Sequence, residues 1–214
     1  MDAVAVFERM KTLKIIPVVA IDAVKDALPL ADALIAGGLP VAEITYRTAA
    51  AADVIRLLRR ERPDMLVGAG TVLTAEQVAS AKGSGAQFAV SPGVNPAVVQ
   101  AAQAAGLPFG PGVMTPSDIE VALGLGLRVM KFFPAEPMGG LKTLKSIAAP
   151  YMHLGVRFIP LGGVSVDNVA AYLKDPAVMA VGGTWLAKKE DIAGGRWDVI
   201  RENCVKAMAA ANHS

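Results

Sequence analysis

The chain has 214 residues and a mass of 22.1 kDa, enough for one large domain whose core needs neither a metal ion nor a disulfide to stabilise it. Its 21 Lys and Arg residues against 19 Asp and Glu leave a net charge of +2 without a basic stripe, which excludes recognition of a nucleic-acid backbone. The single cysteine, Cys204, excludes an intrachain disulfide and is typical of a reducing cytoplasm, and its Ala- and Val-rich helical surroundings predict a packing role.

Hydrophobic residues make up 53% of the chain, a share that would also suit a membrane protein. The longest uncharged stretch, 83–117, contains five prolines and three glutamines and therefore cannot form one membrane-spanning helix. Charged residues near the start interrupt any signal-peptide core. We therefore expect a cytoplasmic protein that does not enter a membrane.

Short apolar, β-branched runs recur along the chain, and their starts lie 20 to 29 residues apart. These runs predict eight strands, at 15–21, 41–46, 66–72, 87–93, 108–113, 128–135, 157–163 and 179–186. The gaps between them show helical periodicity, as at 27–36, 53–60, 97–105 and 166–173. Asn95-Pro96 and Thr115-Pro116 predict helix N-caps followed by proline at the first helical position.

Alternating strands and helices predict a parallel sheet, because parallel neighbours need crossover connections. Eight near-equal units predict a (β/α)8 TIM barrel that forms a single domain over residues 1–214. A doubly wound open sheet is the alternative, but no GxGxxG follows the first predicted strand. In a TIM barrel the functional residues lie at the carboxyl ends of the strands and in the loops that follow.

Lys131 is a charged residue inside the apolar run 128–135. Alternation places it on one face with Val129 and Phe133, and Pro134 ends the strand just afterwards. A desolvated lysine loses its proton more readily and becomes an amine nucleophile towards carbonyl groups. The alternative is a lysine that reaches solvent from the strand end or pairs structurally with a carboxylate.

Glu43 is the corresponding anomaly of the second predicted strand. Val41, Glu43, Thr45 and Arg47 alternate onto one face, which places a carboxylate and a guanidinium on the same side. The pair is interpreted either as a buried structural ion pair or as a general acid/base with an arginine that holds an anionic substrate group.

Two glycine pairs mark the last two predicted strands: Pro160-Leu161-Gly162-Gly163 ends the seventh, and Gly182-Gly183-Thr184 falls in the eighth. Loops at this position of a barrel commonly bind phosphate through exposed backbone N–H groups, whereas a single Gly-Gly is also typical of an ordinary turn. The two histidines, His153 in a predicted loop and His213 in the C-terminal tail, have no acidic cluster near them. No metal site is therefore predicted.

Six segments together resemble the class I 2-keto-3-deoxy-6-phosphogluconate (KDPG) aldolase family, which includes the 4-hydroxy-2-oxoglutarate aldolases. In chain order they are EITYRT at 43–48, VGAGTVL at 67–73, FAVSPG at 88–93, KFFPAE at 131–136, GGV at 162–164 and GGTWL at 182–186. The resemblance implies a homotrimeric lyase of the Entner–Doudoroff pathway that uses a lysine Schiff base, needs no cofactor, and binds pyruvate and a phosphorylated 2-keto acid.

Carried over position by position, the resemblance makes Lys131 the Schiff-base lysine and Glu43 the general acid/base. It implies that Arg47 and Thr71 bind the substrate carboxylate. The remaining implied site residues are Pro92 and Phe133, which contact the substrate, and Gly162, Gly163, Gly183 and Thr184, which bind the phosphate.

Leu161 is where the sequence departs from the gluconate-type pattern. KDPG-type members of the family commonly have threonine before this Gly-Gly, and galactonate-type members carry an apolar residue. The resemblance therefore leaves the substrate epimer open, and a 4-hydroxy-2-oxoglutarate aldolase is the nearest alternative. A phosphosugar isomerase or epimerase and a non-enzymatic phosphate-binding barrel are further alternatives, although the last leaves Lys131 and Glu43 unexplained.

Overall fold

The computed structural model describes residues 2–212. His213, which the sequence analysis assigns to a C-terminal tail, lies outside the described residues. The strands within that range are β1 Ile15–Val19, β2 Val41–Thr45, β3 Leu66–Gly70, β4 Ala89–Val90, β5 Phe109–Gly110, β6 Gly112–Val113, β7 Val129–Phe132, β8 Arg157–Pro160 and β9 Val181–Gly183. The α-helices are α1 Ala3–Leu13, α2 Ala27–Ala36, α3 Ala51–Glu61, α4 Ala75–Gly83, α5 Pro96–Ala104, α6 Pro116–Gly124, α7 Gly140–Ala148, α8 Val169–Leu173, α9 Lys189–Ala193 and α10 Trp197–Asn212. Three 3-10 helices lie at Val24–Asp26, Glu136–Met138 and Ala149–Leu154.

The parallel strands close into a barrel through two junctions. One sheet has the order β5-β4-β3-β2-β1-β9 and the other has the order β6-β7-β8. Pro111 separates β5 from β6, and its carbonyl accepts a hydrogen bond of 2.8 Å from the backbone N–H of Lys131. At the other junction Phe158 of β8 forms a parallel bridge with Val178, just before β9. The predicted (β/α)8 barrel fold is therefore confirmed, with the predicted fifth strand divided in two by a proline.

Most of the predicted strands extend further than the observed ones. The predicted strand 87–93 shrinks to Ala89–Val90, because the chain turns at Ser91, where the hydroxyl donates a 2.6 Å hydrogen bond to the carbonyl of Gly93. Apolar residues at the barrel mouth continue into the loops. The apolar run consequently does not mark the last residue that pairs with a neighbouring strand.

The predicted helix starts are confirmed at two positions. The Asn95 side chain accepts a 3.0 Å hydrogen bond from the N–H of Ala97, and Thr115 forms a reciprocal capping box with Asp118. The prediction missed α1, which precedes β1. Asp2 caps α1 by accepting from the N–H of Ala5, and Val6 and Met10, one helical turn apart, are its buried residues.

Three further predictions concern features away from the site: two side chains and the absence of a membrane-spanning helix. Cys204 is a buried residue of α10, which agrees with the predicted packing role. Burial raises the pKa of its thiol to about 12. His153 lies exposed in a 3-10 helix rather than in the predicted loop. None of the helices in residues 2–212 combines the length and apolarity that crossing a bilayer requires.

Candidate active site

A buried ion pair joins Lys131 and Glu43 across the inside of the barrel. The Nζ atom of Lys131 lies 3.2 Å from Oε1 of Glu43, and the two residues are only 6% and 4% exposed. Lys131 lies on β7 between Gly112 and Ile159 of the neighbouring strands, whereas β2 carries Glu43. Because β2 and β7 are not neighbours in the barrel, only side chains that project into its interior bring the two charges together.

Glycines on β3 provide the space for large side chains in the barrel interior. A Cβ atom on Gly70 would overlap the carboxylate of Glu43, and one on Gly68 would overlap the ring of Phe88. Gly70 therefore allows Glu43 to extend over β3 towards Lys131, and Gly68 leaves room for Phe88.

Lys131 and Glu43 line a small cavity inside the barrel whose other walls are largely apolar. Met10 of α1 reaches this cavity from the amino-terminal end of the barrel, and the other apolar residues come from the strands: Ile16, Phe88, Val90, Ile159 and Leu161. The aromatic ring of Phe133 has its centroid 5.4 Å from Nζ of Lys131. Apolar walls exclude water and thereby strengthen each electrostatic interaction in the site.

Arg47 lies just beyond the end of β2. β2 ends at Thr45, so Arg47 belongs to the turn that follows, and the charge that faces Glu43 is Lys131. Arg47 is exposed, and its Nε atom donates a 3.4 Å hydrogen bond to Oγ1 of Thr45. Within residues 2–212 its guanidinium has no carboxylate partner, so it is open to an anion at the mouth of the barrel.

Thr71 adopts a left-handed backbone conformation directly after β3, with φ of 56°. This conformation is unfavourable for a β-branched residue and is found where the surrounding structure enforces it, often at functional sites. Hydrogen bonds hold the chain on both sides of it, from the N–H of Tyr46 to the carbonyl of Gly70 and from the N–H of Val72 to the carbonyl of Val90. Nothing in the sequence signals this strain, since threonine rarely marks a left-handed position.

Pro92 and Phe133 line the same end of the barrel. Pro92 is half-buried after β4, and its carbonyl lies so close to Gly112 that a side chain on that glycine would overlap it. Phe133, also half-buried, follows β7 immediately. Both predicted contact residues therefore lie at the carboxyl end of the barrel, and Phe133 directly follows the strand that carries Lys131.

The two glycine pairs lie side by side at the carboxyl ends of β8 and β9. Gly162 and Gly163 have φ of 99° and 81°, and within the described residues neither donates its backbone N–H to a carbonyl. The side chain of Leu161 fills the space beside Gly182, so the two strand ends are in contact. Gly183 ends β9, and the exposed Thr184 follows it.

Residues 6–203 match the protein family described as KDPG and KHG aldolase. The chain belongs to this family. It is 50% identical over 195 residues to the 2-dehydro-3-deoxy-phosphogluconate aldolase of Haemophilus influenzae, covering 91% of each chain. Among solved structures it resembles the KDPG aldolase of Legionella pneumophila, captured with pyruvate as a covalent carbinolamine intermediate. That match has a TM-score of 0.90 and 40% identity, and covers 97% of this chain and 98% of the other.

A second solved structure is the KDPG aldolase of Zymomonas mobilis ZM4 with 3-phosphoglycerate, with a TM-score of 0.85 and 39% identity over 95% of each chain. The resemblance inferred from the six motifs is therefore confirmed. The chain is an aldolase of this family and thus a lyase.

Proposed function

We propose that this aldolase reversibly cleaves KDPG to pyruvate and glyceraldehyde 3-phosphate through a Schiff base on Lys131. The observation that carries the proposal is the buried contact of 3.2 Å between Nζ of Lys131 and Oε1 of Glu43. It places an amine and a proton acceptor together in a site that excludes water. The covalent carbinolamine that pyruvate forms in the Legionella relative supports imine chemistry.

The reaction begins when the unprotonated amine of Lys131 attacks the C2 ketone of the substrate. Loss of water from the resulting carbinolamine gives an iminium ion, which withdraws electrons from the neighbouring carbons. Glu43, directly or through a water molecule, takes the proton of the C4 hydroxyl as the C3–C4 bond breaks and glyceraldehyde 3-phosphate leaves. The enamine then takes a proton from Glu43 at C3, and hydrolysis of the imine releases pyruvate. General acid/base assistance of this kind contributes about 10²–10⁴-fold in rate.

Arg47 and Thr71 are proposed to hold the carboxylate at the pyruvate end. The guanidinium of Arg47, which has no carboxylate partner within residues 2–212, supplies a planar pair of N–H donors, which suits a carboxylate. Thr71 follows β3 beside the mouth of the barrel, and its enforced backbone conformation sets the direction in which its side chain leaves the chain. Such orientation brings the ketone carbon to Nζ in a productive geometry. Pro92, Phe133 and Leu161 are proposed to contact the rest of the substrate.

The phosphate is proposed to bind at Gly162, Gly163, Gly183 and Thr184. Support comes from the N–H groups of Gly162 and Gly163, which donate to no carbonyl within residues 2–212, and from the contact between the two strand ends. The phosphorylated ligand in the Zymomonas relative is consistent with a phosphate subsite in the family. This feature favours KDPG over 4-hydroxy-2-oxoglutarate, which has no phosphate, and relative kcat/KM values for the two substrates distinguish them.

Trapping of the imine is the most direct test. The enzyme is incubated with pyruvate and borohydride, and the adduct is located by peptide mass. An adduct on the peptide that contains Lys131 supports the proposal, and its appearance elsewhere or nowhere refutes it. A phosphosugar isomerase, which needs no imine, would give no adduct.

We further propose that the enzyme is a cytoplasmic homotrimer of the Entner–Doudoroff pathway. Its one cysteine is buried, which suits a reducing compartment, and its alanine-rich helices allow close packing against neighbouring copies. Light scattering should give about three times the chain mass of 22.1 kDa.

A further inference from the structure

Glu136, the last residue of the KFFPAE segment, has no role in the reaction as proposed. It begins the 3-10 helix after β7, and its backbone N–H donates a 2.9 Å hydrogen bond to the carbonyl of Gly162. The preceding N–H, of Ala135, donates a 2.8 Å bond to the carbonyl of Leu161. The loop after β7 is therefore bonded to the backbone of the glycine turn after β8.

The side chain of Glu136 also packs on that turn. A Cβ atom on Gly163 would overlap Cβ and Cγ of Glu136, so the glutamate stem lies directly against the glycine. On another side, the amide of Asn168 donates a 3.4 Å hydrogen bond to the carbonyl of Gly163. Two consecutive glycines with positive φ have many accessible conformations, and these contacts restrict them to one.

Tyr172 anchors the carboxylate of Glu136 from α8. Its hydroxyl donates a hydrogen bond to Oε1 of Glu136, and the tyrosine is fully buried although its partner residue is exposed. Burial and the hydrogen bond to Glu136 raise the pKa of the Tyr172 hydroxyl well above its usual value, so this group stays a donor. A Cβ atom on Gly140 would come against both the carboxylate and the hydroxyl, and the pair is therefore enclosed on that side as well.

We infer that Glu136 and Tyr172 are positioning residues that hold the Gly162-Gly163 turn in the shape that receives the substrate phosphate. This inference rests on the proposed function, since it assigns a support to the proposed phosphate subsite. The pair touches neither Lys131 nor Glu43 in the described structure, so it acts on binding of the phosphorylated end and not on imine formation.

The test measures aldol synthesis from pyruvate with two acceptors, glyceraldehyde 3-phosphate and unphosphorylated glyceraldehyde. Tyr172→Phe removes one oxygen atom and keeps the ring. We expect its KM for glyceraldehyde 3-phosphate to rise at least fivefold, with kcat/KM for glyceraldehyde within twofold of wild type. Glu136→Ala should behave in the same way, and Glu136→Gln, whose amide oxygen still accepts from Tyr172, should restore most of the lost affinity.

The chain provides a matched control in Tyr151, whose hydroxyl donates a 2.8 Å hydrogen bond to Oε1 of Glu120 away from the barrel mouth. Tyr151→Phe removes the same type of hydrogen bond and should leave KM and kcat/KM for both acceptors unchanged. Two results would overturn the inference. One is an equal fall of kcat/KM for the two acceptors in Tyr172→Phe. The other is an unchanged KM for glyceraldehyde 3-phosphate in both Tyr172→Phe and Glu136→Ala.

Binding of 3-phosphoglycerate, measured by calorimetry, separates this inference from the proposed function. Absence of a borohydride adduct with pyruvate in the wild-type enzyme would refute the Schiff-base function. The positioning role then still predicts that Tyr172→Phe weakens the binding of 3-phosphoglycerate at least fivefold and that Tyr151→Phe leaves this binding unchanged. Equal affinities of wild type and Tyr172→Phe for 3-phosphoglycerate would refute the positioning role even where the adduct forms.

Discussion

The carboxylate of Glu43 occupies the space that a side chain on Gly70 would need. Gly70 has an ordinary negative φ, so it is not required for backbone conformation, and its contribution is the missing Cβ atom. The glycine on β3 thus permits the ion pair between β2 and β7.

Gly70→Ala should therefore displace the carboxylate of Glu43 from Lys131. We expect kcat to fall at least tenfold, since the proton acceptor moves out of reach, while the borohydride adduct with pyruvate still forms on Lys131. Gly83→Ala is the control, because a Cβ atom there meets nothing within 4 Å. A wild-type kcat in Gly70→Ala would contradict the prediction. It would show that the reaction does not require the carboxylate of Glu43 at its observed position.

The Lys131–Glu43 pair also shows how far the sequence predicts the site. Each residue is recognisable alone, as a charge in an apolar run near a strand end. The contact between them cannot be predicted from the sequence, because 88 residues separate them. Periodicity carries no information about which strands face each other across a barrel. The resemblance to a known family supplied the joint role, and the structure supplies the distance.

Other errors have local physical causes. The predicted strand 41–46 runs one residue past β2, because the pattern of side chains continues beyond the last ladder hydrogen bond. The fifth strand was predicted whole, although Pro111 lacks the N–H that a continuous ladder requires. The left-handed Thr71 had no sequence signal, because the strain is enforced by neighbouring strands and not by the residue itself.

Lys131→Arg should abolish cleavage while leaving the fold nearly intact. Arginine keeps its proton at any working pH and cannot act as the amine nucleophile. The measurements are KDPG cleavage and the borohydride adduct, with circular dichroism to monitor folding. Activity within tenfold of wild type, together with an undiminished adduct, would refute the assignment of Lys131.

Glu43→Gln should slow turnover and still allow some imine to form. The amide preserves the shape of the side chain but cannot accept and return a proton, so we expect a deficit of about 10²-fold or more. Exchange of the pyruvate methyl protons with solvent, followed by NMR, reports the same proton transfer without the aldehyde. Near-normal exchange in this variant would assign the base to another group.

Arg47→Lys should weaken binding of the 2-keto acid, because an ammonium group cannot reproduce a two-point contact with a carboxylate. Since Arg47 is exposed and, among the described residues, its side chain makes one hydrogen bond, of 3.4 Å to Thr45, the substitution should hardly change the thermal stability. The measurement is the KM for pyruvate in the synthesis direction. An unchanged KM would leave the carboxylate to Thr71 or to backbone groups.

Leu161→Thr should change the selectivity between the gluconate and galactonate epimers, which differ at C4. Leu161 is buried, lines the same cavity as Lys131 and Glu43, and lies directly before the Gly162-Gly163 turn. A hydroxyl there would hydrogen-bond the substrate hydroxyl of one epimer and leave that of the other unpaired, a difference of about 1–3 kcal/mol or roughly 5- to 150-fold. Leucine offers no such bond, so the wild type should select mainly by shape, which separates near-isosteres poorly.

The competing interpretation is that Leu161 only packs against Gly182 at the end of β9. In that case the threonine variant loses apolar contacts and thermal stability, and kcat/KM falls equally for both epimers. The measurement is kcat/KM for each epimer on wild type and Leu161→Thr, alongside Tm for both proteins. An epimer ratio that moves by less than about twofold while Tm falls would assign Leu161 to the barrel core, since loss of packing has no means of distinguishing one C4 configuration from the other.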